Sequence, residues 1–238
     1  MLEHTRLSHS PDGLGLQAKR AVDSVANFSD LPDLLLVERT RGRDTRAFET
    51  LMRRYNRRLY RIARSILSHD DAAEEAVRAA YFRAFANLDR YEPAGKFGAW
   101  LARLAFNEAL ALRRHSPAST PVVLPTPAAP ADGADAVASR EQLEGAIDAL
   151  PEVFRTVLVL RVVEDLSGVE VAVCLGLNET TVRTRLYRAQ QRLKVDVARR
   201  LRAEPFNIFE LTPERCDRIV AQVFAKLHTA TPVVSEAR

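Results

Sequence analysis

Residues Ser167 to Leu193 read SGVEVAVCLGLNETTVRTRLYRAQQRL. Ser167 with Glu170 three residues on is a capping-box pattern, in which each side chain can satisfy the other's backbone N–H at a helix start. The short helix it opens runs into Leu175-Gly176, and glycine readily takes the left-handed turn that ends helices. Asn178 then supplies a second N-cap, ahead of a longer segment with Val182, Leu186, Ala189 and Leu193 at helical spacing. A short capped helix, a turn containing Gly and a longer basic helix make a helix-turn-helix pattern. With the apolar row turned inward, Thr180, Thr181, Arg183, Thr184, Tyr187 and Arg188 are left to the outer faces and the N-terminal half. In this motif those positions enter the major groove of duplex DNA. The Arg fork matches guanine O6 and N7, and Thr can hydrogen-bond or meet a thymine methyl. Arg192, Lys194, Arg199 and Arg200 prolong the positive surface, where phosphate contact is the natural use. The competing reading is a solvated, Arg-rich amphipathic helix.

Upstream, Leu150-Pro151 marks a helix start, and VFRTVLVLRVV reads as a well-buried helix. Further back, SPASTPVVLPTPAAPADGADAVAS is too rich in Pro, Ala, Ser and Thr to build a core, and reads as a semi-extended linker over 116–139. Before it, Phe48, Leu51, Met52, Tyr55, Leu59, Ile62, Ala63 and Ile66 form the apolar stripe of a long helix, with Asp44 placed to cap it and Gly42 to end the helix before. Arg53, Arg54, Arg57, Arg58, Arg61 and Arg64 fall on the opposite face. A third helix from about Asp71 to Leu88 turns Ala73, Val77, Ala80, Ala84 and Leu88 inward. DRYEPAG breaks the pattern, and a fourth helix from about Gly98 to Arg114 follows, with Trp100, Leu101, Leu104 and Ala105 on its apolar side. Short connections make these four helices a bundle.

The fold class is therefore all-α: two small helical domains joined by a Pro/Ala-rich linker, plus a C-terminal helix. The expected boundaries are a mobile tail over 1–30, the bundle over 31–115, the linker over 116–139, the helix-turn-helix module over 140–203 and an extension over 204–238. In that extension PFNIFEL looks like a docking strap. Thr212-Pro213 starts a helix with Cys216, Ile219, Val220, Val223, Phe224 and Leu227 in one stripe. Packing on the helix-turn-helix module is the expectation for this stripe, with a regulatory contact as the alternative.

Composition excludes several classes. Among 238 residues, 47% are hydrophobic and 28% charged, an ordinary globular balance, with a formal net charge of +4 and a pI near 9.3. Cys174 and Cys216 lie far apart on helical patterns, as small core residues rather than a disulfide or zinc site. The five His are scattered, and His69 and His115 sit at helix ends. No carboxylate cluster joins them and there is no Gly-rich phosphate loop, so neither an enzyme nor a cofactor is expected. The chain lacks an apolar leader and an uncharged stretch able to span a bilayer, so the reading is a cytoplasmic protein with no membrane partner and no small-molecule substrate.

LPEVFRTVLVLRVVEDLSGVEVAVCLGLNETTVRTRLYRAQQRL (150–193) resembles region 4 of the extracytoplasmic-function sigma factors, the small two-domain members of the sigma-70 family. AFETLMRRYNRRLYRIARSILSHDDAAEEAVRAAYFRAFANLDRYEPAGKFGAWLARLAFNEALALRRH (47–115) resembles their region 2. The resemblance implies a transcription-initiation factor whose partners are core RNA polymerase and promoter DNA, with an anti-sigma factor as a further possible partner. Region 2 would bind polymerase through Glu74, Glu75 and Arg78. It would also capture the melted −10 strand through Arg90, Tyr91, Lys96, Trp100, Arg103, Asn107, Arg113 and Arg114. Trp100 stays open between base stacking and a core role. Region 4 would read the −35 element with Arg183, Thr184, Tyr187 and Arg188. The chain departs from the family pattern at Glu75 and Arg78, where Asp and Gln are usual, and at Ala79, commonly acidic. Phe106 replaces a usual Arg and Thr180 a common Gly. The alternative function is a helix-turn-helix regulator that binds duplex DNA without polymerase.

Overall fold

A computed structural model of the chain describes residues 28–67, 69–92, 96–115, 135–193 and 208–230. Residues 1–27 of the expected N-terminal tail, most of the linker, and Lys194, Arg199 and Arg200 lie outside these residues. Phe28–Asp30, expected in the mobile tail, form a 3-10 turn instead, with Arg39 and Arg46 over the Phe28 ring. All regular structure among the described residues is helical.

Helix α1 (Asp33–Arg41) ends at Gly42, but the left-handed turn falls on Arg43 (φ 67°) while Gly42 keeps φ −73°. Asp44 then caps α2 (Thr45–Ile66), accepting the N–H groups of Arg46 and Ala47 at 3.0 and 3.3 Å. The expected stripe of α2 is buried throughout except Tyr55, which is half-buried. Helix α3 (Asp70–Ala86) turns Ala73, Ala76, Ala80 and Ala84 inward. Side chains this small let it lie close against α2, and the buried Tyr81 hydroxyl donates to the Met52 carbonyl at 3.0 Å. Leu88 is buried as expected, but in a separate 3-10 turn (Leu88–Arg90) after α3 has ended. Helix α4 (Phe97–His115) packs on α2 and α3, and its start approaches Tyr55 so closely that a Cβ at Gly98 would lie 2.6 Å from the ring.

The second group begins with α5 (Asp135–Asp148), whose start precedes the expected Arg140. Helix α6 (Glu152–Leu158) continues the buried VFRTVLVLRVV segment, but the α-helix gives way to a π-turn over Val159–Val163, closed by Glu164 N–H to Val159 O at 3.0 Å. Helices α7 (Gly168–Leu175) and α8 (Glu179–Arg192) follow and pack on each other, with α8 also against α6.

The two groups meet along α2 and α4. The Arg face of α2 is exposed at Arg53, Arg54 and Arg57 and largely covered at Arg58, Arg61 and Arg64. Arg61 is 1% exposed and meets Glu164 at 3.1 Å, with Arg58 on the other oxygen at 3.1 Å. Arg64 holds Asp148 at 2.9 Å and Asp70 at 3.0 Å, while buried Arg155 donates to the Ser65 carbonyl at 2.6 Å. Ile62 of α2 and Ala102 of α4 complete an apolar cluster with Val157, Leu160, Val171 and Val182. Arginine tolerates this setting because its fork can donate to several acceptors at once.

Helix α9 (Pro213–Ala230) corrects an expectation: it packs on α2 and α3, not on the helix-turn-helix group. Ile219, Val220 and Val223 are buried there, and the Phe224 ring stands edge-on to Phe48 at 6.2 Å. Ahead of it, Ile208 and Phe209 are buried like the strap the sequence suggested; the Phe209 N–H donates to Glu144 at 2.8 Å and Arg64 lies over its ring at 4.5 Å.

Removing one member of a buried ion pair strands the other, which typically costs about 3–5 kcal/mol, whereas replacing both with apolar groups is often neutral. Glu164→Gln is therefore expected to lower stability by about 3 kcal/mol in urea unfolding. The double variant Arg61→Met/Glu164→Leu should recover most of that loss, and Glu38→Gln, at an exposed ion pair, should change little.

Candidate nucleic-acid interface

The helix-turn-helix is built as its local chemistry demands. Ser167 Oγ accepts the Glu170 N–H at 3.2 Å and Glu170 accepts the Ser167 N–H at 2.9 Å, so the capping box is complete. Gly176 sits at φ 65°, where an L side chain is strained, and its N–H closes on the Ala172 carbonyl. Asn178 Oδ1 takes the Thr181 N–H at 2.7 Å. Val182 and Ala189 are buried at the back of α8, and Leu193 just past its end, while Leu186 is half-buried. On the front, Thr180, Arg183, Thr184, Tyr187 and Arg188 are exposed, Tyr187 at 61%, and Thr181 is partly so. Thr184 spends its hydroxyl proton on the Thr180 carbonyl at 2.9 Å. Arg192 is also exposed, but its guanidinium lies 4.7 Å over the Phe154 ring, which fixes it near the base of the helix. Cys174 is a core thiol, pushed up to about 12 by burial, and so stays protonated at neutral pH.

A second cluster forms around the turn between α3 and α4. Tyr91, Phe97 and Trp100 have mutual centroid distances of 5.1 to 5.5 Å. Tyr91 is only 5% exposed, so its ring is a wall of this cluster and not a free contact, against the sequence expectation. Trp100 is half-buried and half-presented, consistent with either of its two expected roles. Arg41 was not singled out from sequence, yet it anchors the turn, donating to the Leu88 carbonyl at 2.9 Å and to that of Tyr91. A position at a helix end was its one visible signal. A cavity of about 490 Å³ opens beside the cluster, lined by Tyr55, Arg58, Tyr91, Lys96, Leu166 and Glu170 among others.

On α4, Trp100, Arg103, Asn107 and Arg114 recur at steps of three, four and seven, and so share one side; Arg103, Asn107, Arg113 and Arg114 are exposed, as is Arg90 in the turn. Two of the expected cations are engaged by the second group. Lys96 pairs with Glu170 at 2.7 Å, and Arg113 with Glu152. Phe106 packs against both apolar clusters, at the junction of α4 with the helix-turn-helix.

The expected polymerase contacts divide. Glu75 is exposed and Arg78 half-buried, but Glu74 is 2% exposed, which corrects its placing on an open face. Arg215 and Arg218 of α9 cover it, at 2.6 and 2.9 Å.

Residues 140–193 match the family described as sigma-70, region 4, and residues 51–116 the one described as sigma-70 region 2, half of the chain together. The chain belongs to the sigma-70 family. Its relatives place it among the extracytoplasmic-function (ECF) members. It is 29% identical over 173 residues to the ECF RNA polymerase sigma factor SigW of Bacillus subtilis, covering 66% of this chain and 92% of that protein. It is 30% identical over 163 residues to the ECF RNA polymerase sigma factor SigE of Mycolicibacterium smegmatis, covering 62% and 60%. The ECF RNA polymerase sigma-E factor of Escherichia coli K12 is 28% identical over 176 residues, covering 68% and 92%. Among solved structures, CnrH in complex with the cytosolic domain of CnrY superposes with a TM-score of 0.53 at 26% identity, over 72% of this chain and 98% of that one. In this sigma factor the region 2 match holds α3, α4 and most of α2, the region 4 match holds α6 to α8, and α9 lies beyond both.

The Lys96 ammonium, aided by the Ser167 N–H, holds the Glu170 carboxyl down at about 2 against an ordinary 4.5. A depressed carboxyl contributes its full stabilisation above the ordinary value and loses it as pH falls toward the folded value. Between pH 4.5 and 2 the capped start of α7 should therefore loosen from Lys96. A Glu170→Gln variant should show a flatter loss of urea midpoint over that range than the wild type.

Proposed function

We propose that this sigma factor reads a −35 element in duplex DNA with α8 and captures a melted −10 strand on region 2. In the same reading it docks on core polymerase through the α3 surface of Glu74, Glu75 and Arg78. The observation that carries the first part is the exposed row Arg183, Thr184, Tyr187 and Arg188 on a helix capped by Asn178 whose back is buried. Such a helix presents base-reading groups without ordering them at the moment of binding.

For the −10 strand, the support is the aromatic wall, the adjoining cavity and the exposed Arg103, Asn107 and Arg114. Unstacking a base costs a few kcal/mol, which an enclosed aromatic site can offset, and cations along one helix side suit a single-strand backbone. Lys96 and Arg113 join that surface once Glu170 of α7 and Glu152 of α6 leave them, so their use in strand capture requires both helix starts to move off α4. Tethering then lets two weak DNA contacts act together. The chemistry is binding, with no catalytic step, and it takes place in the cytoplasm. An anti-sigma partner, which the family resemblance implies, belongs to the same reading, and the similar CnrH was solved in complex with another chain, the cytosolic domain of CnrY.

In-vitro transcription with core polymerase over a genomic template library tests the whole reading, and the products should share −10 and −35 elements. Gel shifts with and without polymerase discriminate further: tight duplex binding by the free chain would favour a regulator that needs no polymerase. Arg188→Ala should lose about 1–3 kcal/mol of selectivity between matched and scrambled −35 sequences. Equal loss on both sequences would remove Arg188 from the reading role.

A further inference from the structure

The α3 face assigned above to polymerase is covered in part, at Glu74, by this chain's own C-terminal helix. The N-terminal half of α3 reads DDAAEE (70–75), and the first turns of α9 read PERCDR (213–218). Arg215 reaches Asp70 at 3.2 Å, Asp71 at 3.8 Å and Glu74 at 2.6 Å, and Arg218 takes both oxygens of Glu74 at 2.9 and 3.0 Å. One turn on, Ile219, Val220 and Val223 are buried against α2 and α3. Asn56 of α2 donates to Cys216 Sγ at 3.1 Å. Charge, apolar stripe and hydrogen bonding thus agree on one seat for α9.

We propose that α9 is an intramolecular competitor for the α3 surface on which core polymerase docks, so that polymerase uptake requires displacement of residues 213–230. This rests on the reading that polymerase binds through Glu74, Glu75 and Arg78. Three features favour a displaceable cover over a permanent part of the bundle. Helix α9 lies outside both family-matched spans, while the face it covers lies within one of them. Among the described residues its fully buried apolar ones are limited to Ile219, Val220 and Val223, and its outer ion pairs, such as Arg53 with Asp217, are exposed and weak. Glu75 stays exposed beside the covered Glu74, leaving an edge on which a competing surface can start. Since apparent affinity scales with the competent fraction, a helix seated 99% of the time weakens polymerase binding about a hundredfold.

The test uses the full chain with two release variants of different chemistry. Arg215→Glu/Arg218→Glu sets carboxylates against Asp70, Asp71 and Glu74, and Val223→Asp puts a charge under the apolar stripe. Amide exchange over 213–230 reports release, and titration against core polymerase reports affinity. Helix release with polymerase binding at least about tenfold tighter is the expected result. Release with unchanged or weaker binding overturns the proposal. Adding Glu75→Arg to a released variant separates the two layers. Loss of binding upholds α3 as the docking face. Tight binding that ignores Glu75→Arg moves polymerase elsewhere, and the competition with it. Absence of binding by wild type and released variants alike rejects the docking reading itself, and the proposal falls with it.

Discussion

Helix α2 is committed around most of its circumference, and the arrangement of the other helices depends on that. Its apolar stripe takes α3, α4 and α9, while its arginines take Glu164 and Asp148 from the second group. The stripe reaches the second group too, through Ile62, and the arginines add directional contacts beside it. A buried guanidinium–carboxylate pair is a conditional link: its desolvation penalty roughly cancels its attraction, so it holds orientation well and adds little net stability. The same seam also carries apolar contact: one buried cluster runs from the bundle to Leu143, Ile147, Leu158 and Val159 of the second group, and Ile62 and Ala102 join another. The ion pairs set the register of the two modules, and the apolar clusters add burial to it.

The helix-turn-helix was legible in the sequence down to single hydrogen bonds because its signals are local. Ser167 with Glu170, Gly176, and Asn178 with Thr181 act over three or four residues, and the structure repeats each of them. The bundle stripes were legible for the same reason. What periodicity could not give was the far partner. Arg61 pairs with a residue 103 positions away, and a charged side chain opposite an apolar stripe reads as solvated whether or not something distant covers it. The stripe of α9 announced a face in need of cover and did not name the surface. The acidic start of α3 facing the basic start of α9 was the available clue, and it can be recognised only once the two helices are in contact. Tyr91 was misjudged likewise: a tyrosine in a turn carries no mark of the aromatic neighbours that enclose it.

The departures from the family pattern fall on these junctions. Phe106 stands where the family usually carries Arg, and here it packs into both apolar clusters between α4 and the helix-turn-helix. The position therefore supports the contact between modules, where a guanidinium would have pointed toward a strand. Arg78, another departure, adds a cation 3.7 Å from Glu74, beside the pair supplied by α9. A buried carboxylate surrounded by three guanidinium groups is well compensated, which is why Glu74 can be covered at all.

A common exchange runs through these contacts. Glu170 and Glu152 hold Lys96 and Arg113, the cations that a nucleic-acid backbone would take on the proposed reading. Replacing one anion by another at an ammonium or guanidinium leaves the cation neutralised in both states, so the exchange is far less costly than exposing a bare charge. Both states are also screened by salt in the same sense, since each relies on partly exposed pairs. On the proposed reading, the exchange lowers the electrostatic part of the cost of opening, while the buried clusters at the seam set the rest. A bound partner shifts such an equilibrium by its differential affinity for the open arrangement and no more. The closed arrangement keeps weak sites from acting singly, and simultaneous engagement of both modules is what would make them strong.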